Sequence, residues 1–330
     1  NESKVKAMDL AKVNSLFGPL MILLIGLSNL VVVYVGGSMY INNDPEINSI
    51  GVIAQFILYI NMLTWPVASL GWVSSLVQEA EASQKRINEF LKEEPEIKNT
   101  NSSHSTIEGD IKFDNVSFEY DDTNIKALDK ISFEVKKGKT LAVLGKTGSG
   151  KSTLLTLISR LYDTNSGTVF IDNKDIKDLN LFDLRNQISV VPQDAFLFSD
   201  SIKNNIKFGN ENATDEEVME AAKKAVVHDN IMNFNQQYET VLGERGITLS
   251  GGQKQRLSIA RALVRKAPIY IFDDSFSALD FKTDATLRHE LKKELKDSIM
   301  LVIAQRISSI MEADQIIVLN EGKVVGHGKH

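Results

Sequence analysis

Two glycine-rich stretches carry the chemistry of this 330-residue chain. In the first, Gly145, Lys146, Thr147, Gly148, Ser149, Gly150, Lys151 and Ser152 spell G-x-x-x-x-G-K-[ST], with Thr153 following. Glycines at these spacings let the backbone wrap an anion with successive N–H groups pointing inward, and a helix opening there adds the positive end of its dipole. Lys151 then neutralises the β- and γ-phosphates, and the Ser152 hydroxyl ligates Mg²⁺. The second stretch is Leu249 followed by Ser250, Gly251, Gly252 and Gln253. Ser250 is a natural helix N-cap, and its glycines permit close backbone approach to an anion. Downstream of both, an apolar run ends in the carboxylate of Asp273, placed to hold the magnesium through water. The lysine loop already serves one nucleotide, so a second anion-facing helix calls for a second.

These residues need a sheet and helices to hold them. Residues 140–144 read as a buried strand leading into the loop, and Leu154, Leu155, Leu157 and Ile158 give the next helix its apolar face. Strands are also expected at 111–120, 131–135, 188–191, 269–272, 299–303 and 316–319. Between about 201 and 266 the composition turns helical, with a capping box at Thr214–Glu217. The helix opened by Ser250 continues through Leu257, Ala260 and Val264 and must stop before Pro268.

The N-terminal part is of another kind. Residues 16–35 and 50–77 contain no Asp, Glu, Lys or Arg, and each is long enough to cross a bilayer. Gly36-Gly37 is expected to end the first span, and Trp65-Pro66 to kink the second. Lys4, Lys6 and Lys12 precede the pair, Lys85 and Arg86 follow it, and the connecting loop carries only acidic residues. Both ends are therefore expected in the cytoplasm and the loop outside, although two buried helices of a soluble protein satisfy the same apolar pattern. Glu93-Glu94-Pro95 ends the helix beyond the second span, and 95–107 reads as a linker. The domains expected are thus a membrane part over 1–94 and a soluble domain over 108–330. A net charge of −6 gives no support to a nucleic-acid partner. The absence of cysteine excludes disulfides and Cys-based zinc sites, and the five histidines form no H-x-x-x-H pair. Asn1 at the start and the ending at His330 suggest a piece of a longer protein.

The lysine loop and Leu249–Gln253, in this order, resemble the nucleotide-binding domain of ATP-binding-cassette (ABC) proteins. The two spans ahead of it resemble the last third of a six-span exporter subunit. The resemblance implies an α/β P-loop NTPase cassette with a helical subdomain, behind an α-helical transmembrane segment, with ATP and Mg²⁺ as cofactors. It implies that Tyr120 stacks on adenine, although a strand tyrosine packed on its neighbours would look the same. Gln193 would be the glutamine that reaches the metal and the attacking water. Gly243–Gly246 matches the X-loop of exporters, and 277–280, ending in Asp280, matches the D-loop across a dimer seam. In this family Ser250, Gly251, Gly252 and Gln253 close on the nucleotide held by another cassette, so a dimer follows.

Two positions depart from the family pattern. Asp274 stands where a glutamate usually orients the attacking water, and Gln305, within 303–306, where the switch histidine usually stands. Asp withdraws its carboxylate by about 1 Å, a misplacement that can cost roughly 10²-fold in rate. Gln brings no charge to the γ-phosphate, and losing such a contact typically costs about 10²–10³-fold. Both changes bear on hydrolysis rather than binding, so the expected function is ATP-driven export by the slow-site subunit of a heterodimer. It would sit, multi-pass, in a bacterial cytoplasmic membrane with its cassette in the cytoplasm. Its partners would be a second half-transporter, membrane lipid and a substrate that the apolar helices do not identify. A homodimer with two Asp/Gln sites, a non-transporting ABC ATPase and a regulatory pseudo-ATPase are the competing readings.

Overall fold

The computed structural model describes residues 2–47, 49–304 and 310–330. The chain divides into two compact units, Asn1–Glu94 and Pro95–His330. The first is a helical pair, α1 (Glu2–Ile41) and α2 (Ile50–Lys92). Both are long and apolar enough to cross a membrane. Their large side chains, among them Leu23, Tyr34, Met62 and Trp65, are exposed, and α2 buries none. A soluble helix pair would hide such faces, whereas a bilayer solvates them.

Gly36-Gly37 does not end the first span as expected, because α1 runs through both glycines to Ile41. Glycine costs a helix interior about 1 kcal/mol, which the unbroken backbone bonding of an apolar segment outweighs. Gly36 also lets the helices approach, since a Cβ there would lie 3.1 Å from Ile53 Cγ1. Asp44 Oδ1 accepts the Glu46 N–H in the turn between them. Helix α2 continues through Pro66 and the charged stretch beyond Val77, ending at the cap residue Glu93.

The second unit has two sheets. Strands β1 (Ile111–Tyr120), β2 (Ile125–Val135), β4 (Ser166–Ile171) and β5 (Lys174–Asp175) form an antiparallel sheet in the order β2-β1-β4-β5. The other holds β3 (Thr140–Gly145), β6 (Ile188–Val191), β7 (Ile269–Asp273), β8 (Ile299–Ala304), β9 (Gln315–Asn320) and β10 (Lys323–Gly328). Its order is β10-β9-β3-β8-β7-β6, parallel except for the β10 edge.

Alternation along the parallel strands divides the core. Leu141, Val143, Ile271, Leu301 and Ile317 point to the antiparallel sheet and to α3 (Lys151–Ile158) and α4 (Leu181–Asn186). Ala142, Phe272, Val302 and Ile316 point the other way. That second core includes α5 (Ile202–Lys207), α6 (Asp215–Lys224), α7 (His228–Met232), α8 (Gly251–Leu263) and α9 (Phe281–Glu294). Helix α6 opens on the Thr214–Glu217 capping box.

Hydrogen bonds lay residues 99–107 along this unit. Asn99 Oδ1 accepts from Leu181 N, and Asp183 Oδ2 accepts from Ser105 N and meets His104 Nδ1 at 2.7 Å. Gln187, just ahead of β6, accepts from Ile107 N and donates to Ser105 O.

Candidate functional site

Strand β3 delivers the chain to Gly145 at the end of the parallel sheet, and α3 starts at Lys151. A Cβ on Gly145 would overlap Ser149 Oγ and lie 2.6 Å from Leu319 O. Gly150 has φ +99° and opens α3 without a side-chain cap, which leaves its first N–H groups to whatever enters the loop. Lys151 is buried, and its Nζ donates to the carbonyls of Gly145 and Lys146, both at 2.7 Å. The turn after β9 closes the loop from outside: Gly322 N donates to Ser149 O at 3.2 Å, and Gly322 O accepts from Asp129 N at 2.8 Å.

A cleft of about 370 Å³ opens over this loop. It is lined by Tyr120, Thr147, Gly148, Gly150, Lys151, Ser152, Thr153, Gln193, Asp273 and Asp274. Gly145, Lys146 and Ser149 build the loop behind it. Tyr120 is tied to the phosphate loop's helix by a 3.0 Å hydrogen bond between its hydroxyl and Thr153 Oγ1. Ser250, Gly251, Gly252, Gln253 and Asp280 do not line the cleft. Gln305 lies outside the described residues. The cleft also takes Ile125, Lys126 and Ala127 from β2 and Glu321 and Gly322 from the β9–β10 turn. Sequence reasoning missed these: β2 starts at Ile125 rather than 131, and Glu321-Gly322 has the composition of any tight turn.

Electrostatics concentrate where β7 ends. Burial pushes the Asp273 carboxyl above the usual carboxylate range, the Asp274 charge adds to this, and Lys151 opposes it. Burial pushes the Lys151 ammonium down, against the pull of Asp273 and Asp274. A cation beside these carboxylates would favour the charged form of Asp273, and an anion in the phosphate loop the charged form of Lys151. Asp274 has φ +43°, a conformation costing a non-glycine residue about 1–2 kcal/mol. Its N–H donates to Ile303 O at 3.0 Å and its carbonyl accepts from Ser277 Oγ at 2.9 Å, which fixes the turn.

The segment carrying Gln193 is clasped twice. The buried Ser275 Oγ donates to Val191 O at 3.0 Å. The buried Gln255, on α8, donates through Nε2 to Pro192 O at 3.3 Å and Gln193 O at 3.2 Å. Neither residue announces itself in sequence, since both are polar residues inside otherwise ordinary elements.

Helix α8 begins differently from α3. Ser250 Oγ accepts from Gln253 N at 3.3 Å, and Gln253 Oε1 accepts from Ser250 N at 2.9 Å. A Cβ on Gly252 would sit 3.3 Å from Ala278 O, so this turn rests against residues 277–280. Asp280 caps α9 by accepting from Thr283 N at 3.0 Å, and the hydrogen bonds from Thr283 hold its carboxyl below the usual range.

Residues 128–277 match the family described as ABC transporter. The chain is 40% identical over 312 residues to the Bacillus subtilis ABC transporter ATP-binding protein YfiB, covering 94% of this chain and 54% of that protein. It is 36% identical over 325 residues to the Escherichia coli multidrug resistance-like ATP-binding protein MdlA, covering 98% and 55%. A bacterial Atm1-family ABC exporter solved with ATP bound superposes with a TM-score of 0.82 at 32% identity, covering 95% of this chain and 55% of the other. The chain spans about half the length of the curated relatives it matches. Loop, carboxylate strand, helical insert and apolar helices agree with these matches: the chain carries an ATP-binding domain of the ABC transporter family, fused to a membrane segment.

Proposed function

We propose that this chain is part of an ATP-driven exporter subunit in a bacterial cytoplasmic membrane, its cassette in the cytoplasm. ATP would bind in the 370 Å³ cleft with its phosphates on the 145–152 loop and its base against Tyr120. Ser152, Gln193 and Asp273 line the same cleft and fit Mg²⁺, which takes one or two carboxylates plus phosphate oxygens rather than an all-protein cage. Among the described residues no cluster of three His, Cys, Asp or Glu offers such a cage. When bound, held by Ser152, Gln193 and Asp273, the ion would offset the negative charge of the phosphates.

One observation carries the dimeric part of the reading: Ser250–Gln253 lies outside the chain's own cleft. A helix start suited to an anion, with none of this chain's phosphate machinery around it, fits a nucleotide held by a second cassette. The short carboxylate of Asp274, on a turn locked to β8, supports a slow site of its own. The partner we propose is therefore a different half-transporter with a faster site, completed by this chain's Ser250–Gln253. Purification of the full-length subunit from native membranes, with intact mass of the complex, tests this. A stoichiometric second half-transporter of different mass is expected; a complex of one species would overturn the heterodimer.

A further inference from the structure

We propose that Tyr162 positions the base-binding surface of the cleft by backing the Tyr120 ring from behind. The inference rests on the reading of Tyr120 as the platform for the nucleotide base. Tyr120 has two sides in this fold. One lines the nucleotide cleft; the other lines a separate hollow that also takes Phe118 and Tyr162. Tyr162 does not reach the cleft itself.

Behind Tyr120 the three rings form a closed triangle. Tyr120 and Tyr162 meet edge-to-face with centroids 5.5 Å apart, Phe118 and Tyr120 edge-to-face at 4.8 Å, and Phe118 and Tyr162 at 5.3 Å. These separations lie in the range where the ring quadrupoles attract. Phe118 is buried and comes from the same strand as Tyr120, so it cannot stop β1 and its tyrosine from moving together. Tyr162 can, because it comes from the chain that leaves α3.

That chain is unusually well fixed for a half-exposed turn. Arg160 is buried with φ +46°, and Leu161 N donates to Thr156 O at 2.8 Å. The Arg160 guanidinium pairs with Asp163 at 3.0 Å and donates to Lys177 O at 3.2 Å, bracketing Tyr162 between the two ends of an ion pair. Thr153, which holds the Tyr120 hydroxyl, sits on α3 as well. The helix that presents its N-terminus to the phosphates therefore fixes the base platform at two points, hydroxyl and ring. A ring already held still loses less freedom when a base stacks on it, so affinity for the base depends on the backing.

The test is nucleotide affinity of the full-length subunit in detergent, for ATP and for inorganic tripolyphosphate, in wild type, Tyr120→Ala, Tyr162→Ala, Tyr162→Leu and Tyr162→Phe. Tyr120→Ala is expected to weaken ATP and leave tripolyphosphate unchanged. Tyr162→Ala and Tyr162→Leu should weaken ATP by roughly 3- to 10-fold, again with tripolyphosphate unchanged. Tyr162→Phe, which keeps the ring, should bind both as wild type does. If Tyr120→Ala is impaired while both non-aromatic Tyr162 variants bind ATP normally, the backing role is wrong. Equal weakening of both ligands by those variants would make Tyr162 a structural support of α3 and also overturn it. If Tyr120→Ala itself binds ATP normally, the platform reading fails and the inference goes with it.

Discussion

Helices α3 and α8 both begin at glycines beside a phosphate-compatible backbone, yet their first turns are finished in opposite ways. At α3 the cap is Gly150, no side chain occupies the first N–H groups, and a buried lysine and two carboxylates converge on the cleft above. At α8 the cap is Ser250, and Ser250 and Gln253 satisfy each other's backbone. The first turn is thus a site built with all its charges in place. The second has its own side chains on its first turn, is not part of the cleft over the lysine loop, and leans on the 277–280 turn. The same local chemistry can serve two ends because the surroundings differ: α3 opens onto a cleft, whereas α8, on the function proposed above, would offer half of a site.

The contrast can be broken most severely at α3. Lys151→Ala should reduce nucleotide affinity by more than about 10²-fold, because the loop loses the charge that faces the β- and γ-phosphates. Ser250→Ala should leave binding of nucleotide to this chain's own cleft within about twofold, since Ser250 is not part of it. Equilibrium binding to both variants would show whether the two helix starts are as unlike as the geometry makes them.

A second test acts on rate. Asp274→Glu combined with Gln305→His should raise ATP turnover at this site by about 10-fold or more, by restoring the longer carboxylate and the missing charge. Steady-state ATPase of the complex, with the partner's lysine loop disabled, measures it; no rise would mean that these positions do not limit hydrolysis.

Smaller effects follow from the clasp on Gln193. Gln255→Leu leaves the carbonyls of Pro192 and Gln193 without their donor, at a cost of about 1–3 kcal/mol in cassette stability. Turnover should fall more than ATP affinity does, because the clasp fixes the segment carrying Gln193 and not the phosphate loop. Thermal melts beside kcat and Kd separate the two. The smallest change belongs to Ser250→Ala at the level of the helix: loss of the cap should destabilise the cassette by about 1 kcal/mol, read from the denaturation midpoint.

Much of this arrangement was legible before any coordinates. The 111–120 strand, the buried strand into Gly145, the capping box at Thr214, the N-cap at Ser250 and the helix face through Leu154 and Ile158 each rest on a local rule that the fold leaves intact. What escaped was nonlocal. Helix α9 shows few apolar residues in sequence, with Leu287 and Leu291 buried among charges, and β4 begins in a polar Ser-Gly-Thr run that only its pairing with β1 makes a strand. The Gly36-Gly37 pair misled because glycine breaks helices in water more readily than in an apolar segment. At the site, the glycines, Lys151 and Asp273 stood out because their chemistry demands those residue types. Ser275, Gln255 and Gly322 did not, because each acts through hydrogen bonds to backbone groups far away in sequence.

The most direct measurement places Ser250→Arg in the full-length subunit and follows two quantities in the purified complex. These are photolabelling of each chain by an azido-ATP and ATP hydrolysis by the whole. A bulky cation at the start of α8 should leave labelling of this chain's own cleft at the wild-type level while abolishing turnover at the partner's nucleotide. Loss of labelling in this chain itself would mean that Ser250–Gln253 serves its own cleft, and the division of labour between α3 and α8 would be wrong.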